Sequence, residues 1–84
     1  VSDSIGRLLR ALSETTQVLC VTHAPQVAAI GQQHFKVTRK NEKTNLLRLE
    51  GEDRVKELAR MLAGSEVTPE TTDFAKNLLA QAMD

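Results

Sequence analysis

The stretch LCVTHAPQV, residues 19–27, decides the fold. With Val18 before it, Val18-Leu19-Cys20-Val21 is a short, continuously apolar run rich in β-branched side chains. That is the pattern of a strand buried on both faces, as in a parallel sheet covered by helices. The run stops at Thr22 and His23, so a strand over 18–22 carries His23 at its carboxyl end. Pro25 then opens a helix, since its missing N–H is not needed in the first turn. In open α/β sheets ligands bind beyond the carboxyl ends of the strands, and a helix N-terminus attracts anions. His23 is therefore a candidate for meeting an anionic ligand. The alternative is a strand-end histidine satisfied by a backbone carbonyl, and position alone leaves both open.

Working outward, Ile5, Leu8, Leu9 and Leu12 recur at helical spacing over residues 3–13, with Arg7 and Arg10 on the other side. After the strand, Gln26-Val27-Ala28-Ala29-Ile30 continues the helix opened by Pro25, and Gly31 stops it. Residues 34–40 and 47–49 alternate roughly polar and apolar, and KNEKTN between them supplies turn chemistry. A β-hairpin over about 33–50 follows. Gly51 breaks it. A helix over 53–63 places Val55, Leu58, Ala59 and Leu62 on one face. Thr68 as N-cap and Pro69 at the first helical position start a last helix, about 69–83. Its apolar stripe is Phe74, Ala75, Leu78, Leu79 and Ala82. The expected class is α/β, in the order α-β-α-β-β-α-α, with one buried parallel-type strand and a β-hairpin.

The chain has 84 residues, room for a single domain over 1–84. Hydrophobic residues make up 40%, which supports a core and excludes a disordered chain. With only Phe35 and Phe74 as aromatics, that core must come from aliphatic side chains. Eleven basic and eleven acidic side chains cancel. A stand-alone nucleic-acid binder would carry a basic excess, because phosphate neutralisation supplies most non-specific affinity. The single cysteine, Cys20, rules out an internal disulfide and fits a reducing compartment. No run approaches the roughly 18 apolar residues of a membrane span, and the N-terminus has no signal-like pattern. A soluble cytoplasmic protein with no membrane partner is expected. A start at Val rather than Met points to a fragment or a processed chain.

Other chemistry is weaker. Cys20 and His23 as a nucleophile–base pair would need a break in the strand, since residues three apart point to opposite faces. Cys20 reads instead as a small core residue. His23 and His34 match no compact metal-ligand spacing, so no metal site is expected. His34 reads as a solvated residue starting the hairpin. Lys36, Arg39, Lys40, Lys43 and Arg48 form either a solvated strand face or a weak phosphate-contacting patch. Glu57 and Arg60 read as an ordinary i, i+3 surface pair. No glycine-rich phosphate loop is present, and no acidic pair ends an apolar strand.

TQVLCVTHAPQVAAIGQQHFKVTRK, residues 16–40, together with ELARMLAGSEVT, residues 57–68, resembles the C-terminal end of the RecN family of bacterial DNA-repair proteins, in the SMC-like branch of the ABC ATPases. The likeness covers about residues 5–80. The combination of V-T-H-x-P-Q-V-A with E-L-A-R-M-L-x-G carries the specificity; V-T-H alone would be weak. The resemblance implies a fragment of a P-loop, ABC/SMC-type ATPase head, with His23 as the switch (H-loop) histidine that contacts the γ-phosphate of ATP. It also implies ATP and Mg²⁺ as cofactors of the full-length protein, with none expected on this segment alone. The partners implied are the rest of the head, a second head in an ATP-dependent dimer, and DNA at double-strand breaks. A nucleoid-associated location follows for the whole protein. The Walker A, signature and Walker B motifs would lie upstream of Val1, and VSDS does not carry the D-loop expected before the first helix. Gly6 reads as a close-packing position. Alone, the segment is expected to be inactive and prone to self-association. An autonomous interaction module using the C-terminal helices is the alternative.

Overall fold

A computed structural model describes residues 2–82. The order is α1 (Ser2–Ser13), α2 (Pro25–Ile30), β1 (His34–Lys40), β2 (Lys43–Leu49), α3 (Gly51–Ala63) and α4 (Pro69–Ala82). Met83, the last residue of the predicted final helix, lies outside the described residues. The expected α-β-α-β-β-α-α order thus becomes α-α-β-β-α-α, a mixed fold whose sheet has two strands.

The missing element is the strand over 18–22. These residues take no regular structure and pair with neither hairpin strand. Leu19 is 86% exposed and Val21 91%, and Cys20 is exposed rather than in the core. The reason is physical. A strand apolar on both faces is held by hydrogen-bonded neighbours and a layer on each side, and the hairpin pairs only with itself.

The hairpin is antiparallel, in register from His34↔Leu49 to Lys40↔Lys43. Asn41 (φ 53°) and Glu42 (φ 64°) form its two-residue turn, both left-handed. Two positive φ values match the right-handed twist of the strands they join. Asparagine tolerates that region, whereas Glu42 sits there at a cost.

The core lies between α3 and α4 and is closed by α2. Val55, Leu58, Ala59 and Ala75 are buried with Ala29, and Leu62, Leu78 and Leu79 pack against them. The predicted stripe on α3 is thus the one that is buried. On α4, Phe74 departs from expectation, at 55% exposed. With Ala75 facing α3, a step of about 100° per residue places Phe74 at the edge of the stripe. Reciprocal capping starts α4: the Thr71 N–H donates to Thr68 Oγ1 (3.2 Å) and the Thr68 N–H to Thr71 Oγ1 (2.9 Å). At the other end of α3, Gly64 (φ 75°) donates its N–H to Arg60 O at 2.8 Å.

Pro25 opens α2 as expected, and Thr22 Oγ1 accepts the Ala24 N–H (2.9 Å) at its entry. Its exit is less ordinary. Gly31 leaves in an extended conformation (φ −61°), so no left-handed turn satisfies the last carbonyls. Arginines do so instead. Arg54 Nη2 lies 3.1 Å from Ala28 O, 3.3 Å from Ala29 O and 2.6 Å from Gly31 O. Arg10 Nη1 donates to Ile30 O. A Cβ on Gly6 would come within 2.8 Å of Ile30 Cδ1, so the glycine is where α1 approaches α2. Of the α1 stripe Leu9 is half-buried, whereas Ile5, Leu8 and Leu12 are all at least half exposed.

Replacing Arg54 with methionine should lower the unfolding free energy by about 2 kcal/mol, because several carbonyls lose a charged donor. The urea midpoint reads the change, and an unaltered midpoint would mean that water substitutes for the clamp.

Candidate functional site

The apolar 18–22 run, the hairpin and the end of α3 enclose an open cleft of about 1110 Å³. Leu19, Val21, Phe35, Val37 and Leu46 line it, as do Lys36, Glu57 and Arg60. His23 lies on its wall, exposed, at the bend between the extended run and α2. Its imidazole makes no hydrogen bond or ion pair with a described residue. The satisfied strand-end reading therefore has no carbonyl partner here. The anion-attracting helix expected behind it is α2, of six residues, too short to present an N-terminal site. Cys20 is exposed, and no hydrogen bond links it to His23.

A second group of side chains was not foreseen as a unit. Glu57 is buried, at 8% exposure. It accepts a two-pronged contact from Arg60, Nε to Oε1 at 2.8 Å and Nη2 to Oε2 at 2.6 Å. Lys36 Nζ approaches the same carboxylate at 3.3 Å. This is no ordinary surface pair. By helical geometry, at about 100° per residue, Glu57 stands roughly 200° from Val55. On the face opposite the core stripe, which periodicity assigns to solvent, Glu57 is buried where Lys36 of the hairpin reaches it.

His34 starts β1 as expected but is half buried rather than solvated, with Nδ1 buried and unpartnered. Burial chiefly holds its pKa below the usual histidine value, the Arg54 charge adds to this, and Glu57 opposes it. The Arg60 hydrogen bond chiefly holds the Glu57 carboxyl below the usual range; burial opposes this and Lys36 assists. Glu57 in turn raises the Arg60 pKa. Burial, followed by the charge of Arg10, lowers that of Arg54. The available signal was the two-residue strand period, which puts His34 and Lys36 on one face.

Among the described residues no group of three or more His, Cys, Asp or Glu side chains could hold a metal ion. No described helix is long and apolar enough to cross a membrane. The arrangement offers an imidazole without a described partner in the lining of an open cleft that also contains the Lys36–Glu57–Arg60 group. It contains no nucleophile–base pair.

No family model matches the chain. Individual proteins do. Over 82 residues, 93% of this chain, it is 48% identical to a protein of Vibrio cholerae named DNA repair protein RecN, of which it covers 15%. Proteins of the same name from Haemophilus influenzae (44% over 79 residues, 14% of that protein) and Bacillus subtilis (38% over 86 residues, 15%) are also similar. The chain thus spans only about one-seventh of the length of these relatives, and the similarity falls in their C-terminal part.

His34 and Glu57 give the fold a defined acid response. Above pH 6.5 the imidazole is neutral in both folded and unfolded states. Below it the unfolded chain takes up a proton that the folded one resists, so stability falls as pH drops from 6.5 toward the lower folded value. The stabilisation from Glu57 is complete above its unfolded pKa near 4.5 and is lost as pH falls through its depressed folded value. Urea midpoints between pH 8 and pH 5 should therefore decline for the wild type and stay flatter for His34→Gln. Parallel curves would exclude His34 as the source.

Proposed function

We propose that this chain, similar over nearly its whole length to the C-terminal part of RecN proteins, is the C-terminal segment of a RecN-like ATPase head acting in DNA double-strand-break repair and recombination. The observation that carries the reading is that similarity, at 38–48% identity in the relatives described. In this reading His23 is the H-loop histidine. A neutral imidazole donates one hydrogen bond to a γ-phosphate oxygen and helps hold the attacking water in line. Since the product state lacks that phosphate, the contact favours the triphosphate-bound, closed pair of heads, which is the differential affinity a switch requires. The exposed, unengaged position of His23 is compatible with such a role. Other parts of the longer protein supply the phosphate loop and the Mg²⁺ site, so the segment by itself is inactive.

The same reading gives the apolar 18–22 run its expected place as a strand inside a larger parallel sheet. Sheet neighbours would cover Leu19, Cys20 and Val21, all of them exposed in the chain alone. The exposed Phe74 favours the alternative, an autonomous interaction module working through α3 and α4. Against it, those helices turn their main apolar faces toward each other.

Two measurements test the proposal. In the full-length protein His23→Ala should reduce ATP turnover about 100-fold or more while changing ATP affinity far less, since the lost donor acts in the transition state. Unchanged turnover would remove His23 from the mechanism. The isolated 84-residue chain should self-associate or melt at low temperature, by light scattering and calorimetry. A monodisperse monomer of high Tm would contradict the head-segment reading.

A further inference from the structure

The neutral total charge conceals a separation along the fold. The hairpin His34–Leu49 contains five basic side chains, Lys36, Arg39, Lys40, Lys43 and Arg48, and one acidic, Glu42, a net +4 with histidine neutral. The rest of the chain has six basic and ten acidic side chains, a net −4. Inside the hairpin the cations divide again. Lys36 contacts the buried Glu57, and Arg48 pairs with Glu50 at 3.3 Å. Arg39, Lys40 and Lys43 are exposed, and their side chains make no hydrogen bond or ion pair with any described residue.

These three surround the turn. Lys40 and Lys43 stand directly opposite each other in the register, with Arg39 one step behind, opposite Thr44. Like charges facing across a strand pair destabilise it, and among the described residues no acidic side chain pairs with either lysine. The whole tip, TRKNEKTN over residues 38–45, lacks an apolar side chain. Besides its cations it offers the hydroxyls and amides of Thr38, Thr44, Asn41 and Asn45. Such groups, with Arg and Lys, make most protein contacts to nucleic-acid phosphates.

We infer that the hairpin tip, with Arg39, Lys40 and Lys43 around the Asn41-Glu42 turn, is a contact for the phosphate backbone of duplex DNA. A two-stranded ribbon is narrow enough to lie against or enter a duplex groove. Unpaired bases would need an aromatic platform. The hairpin's one aromatic, Phe35, lies toward the opposite end, facing Arg48. The contact positions the protein on the duplex without reading sequence, because no base-specific pair is built in. It rests on the proposed function only for the identity of the polyanion, and it is independent of the role of His23.

The test compares the full-length wild type with an Arg39→Gln/Lys40→Gln/Lys43→Gln variant. The probe is a fluorescein-labelled random-sequence duplex of about 30 base pairs, without nucleotide, read by anisotropy across a salt series. Loss of three phosphate contacts should reduce the slope of log affinity against log salt by about 2–3 and weaken binding at low salt at least tenfold, equally for unrelated sequences. The exposed tip leaves folding intact, checked by an unchanged melting temperature. Glu42→Gln, which removes the one opposing charge, should strengthen binding. An unchanged slope and affinity in the triple variant would overturn the inference while leaving the proposed function standing. A wild type that binds no duplex would overturn both. If the triple variant instead lost only binding to vesicles containing phosphatidylserine, a membrane surface would replace DNA as the partner.

Discussion

The carbonyl end of α2 is the point on which the rest of the fold depends. Six residues are too few for a helix to persist by its own hydrogen bonds, and its last carbonyls have no partners within it. Gly31 leaves in an extended direction, so the orphaned oxygens are open to side chains. Arg54 reaches them from α3 and Arg10 from α1. Two guanidinium groups converge there, and burial first, then the charge of Arg10, lowers the pKa of Arg54. The negative end of the helix and its carbonyls offset their repulsion. Two helices distant in sequence, α1 and α3, are thereby fixed to the short α2.

The helix α3 makes contacts on two sides. Its Val55, Leu58 and Ala59 face meets α2 and α4. Arg54, one residue before Val55, leaves the stripe to hold α2. On the opposite side Glu57 is sealed by Lys36 and Arg60. A carboxylate that deep needs paired donors, and it receives them from β1 and from its own helix. The hairpin is therefore anchored at its base through Lys36 while its tip projects free of the body.

What was legible in the sequence follows from how local each signal is. The hairpin, the start of α2 at Pro25 and the Thr68 cap depend on neighbours within a few residues, and all appear where the pattern places them. The stripe of α3 was legible because a helix displays its buried face by period alone. Leu19 and Val21 were misread as already buried, since an apolar run reports a demand for neighbours rather than their presence. His34 and Glu57 escaped for the converse reason. Each is polar and locally unremarkable, and burial comes from an element that packs on it from elsewhere in the chain. Phe74 failed by a single helical step. His23, expected at the end of a strand, stands instead at a bend after an extended run, and no described carbonyl accepts from it.

The distribution of apolar side chains argues further. The buried set contains four alanines and four larger aliphatics: Ile30, Leu49, Val55 and Leu58. Among the described residues eleven large apolar side chains remain exposed, Ile5, Leu8 and Leu12 on α1 and Leu19 and Val21 on the extended run among them. Each would contribute about 1.5–3 kcal/mol if it moved from full exposure to full burial. Scattered exposed hydrophobics are ordinary on any surface, but clustered ones mark an interface. Here Leu19 and Val21 line the open cleft together with the half-buried Leu9 of α1. Polar interactions at α2 and Glu57 hold the covered half together, whereas the cleft half lacks a second layer. Such an asymmetry is what a segment shaped to complete a larger sheet would carry.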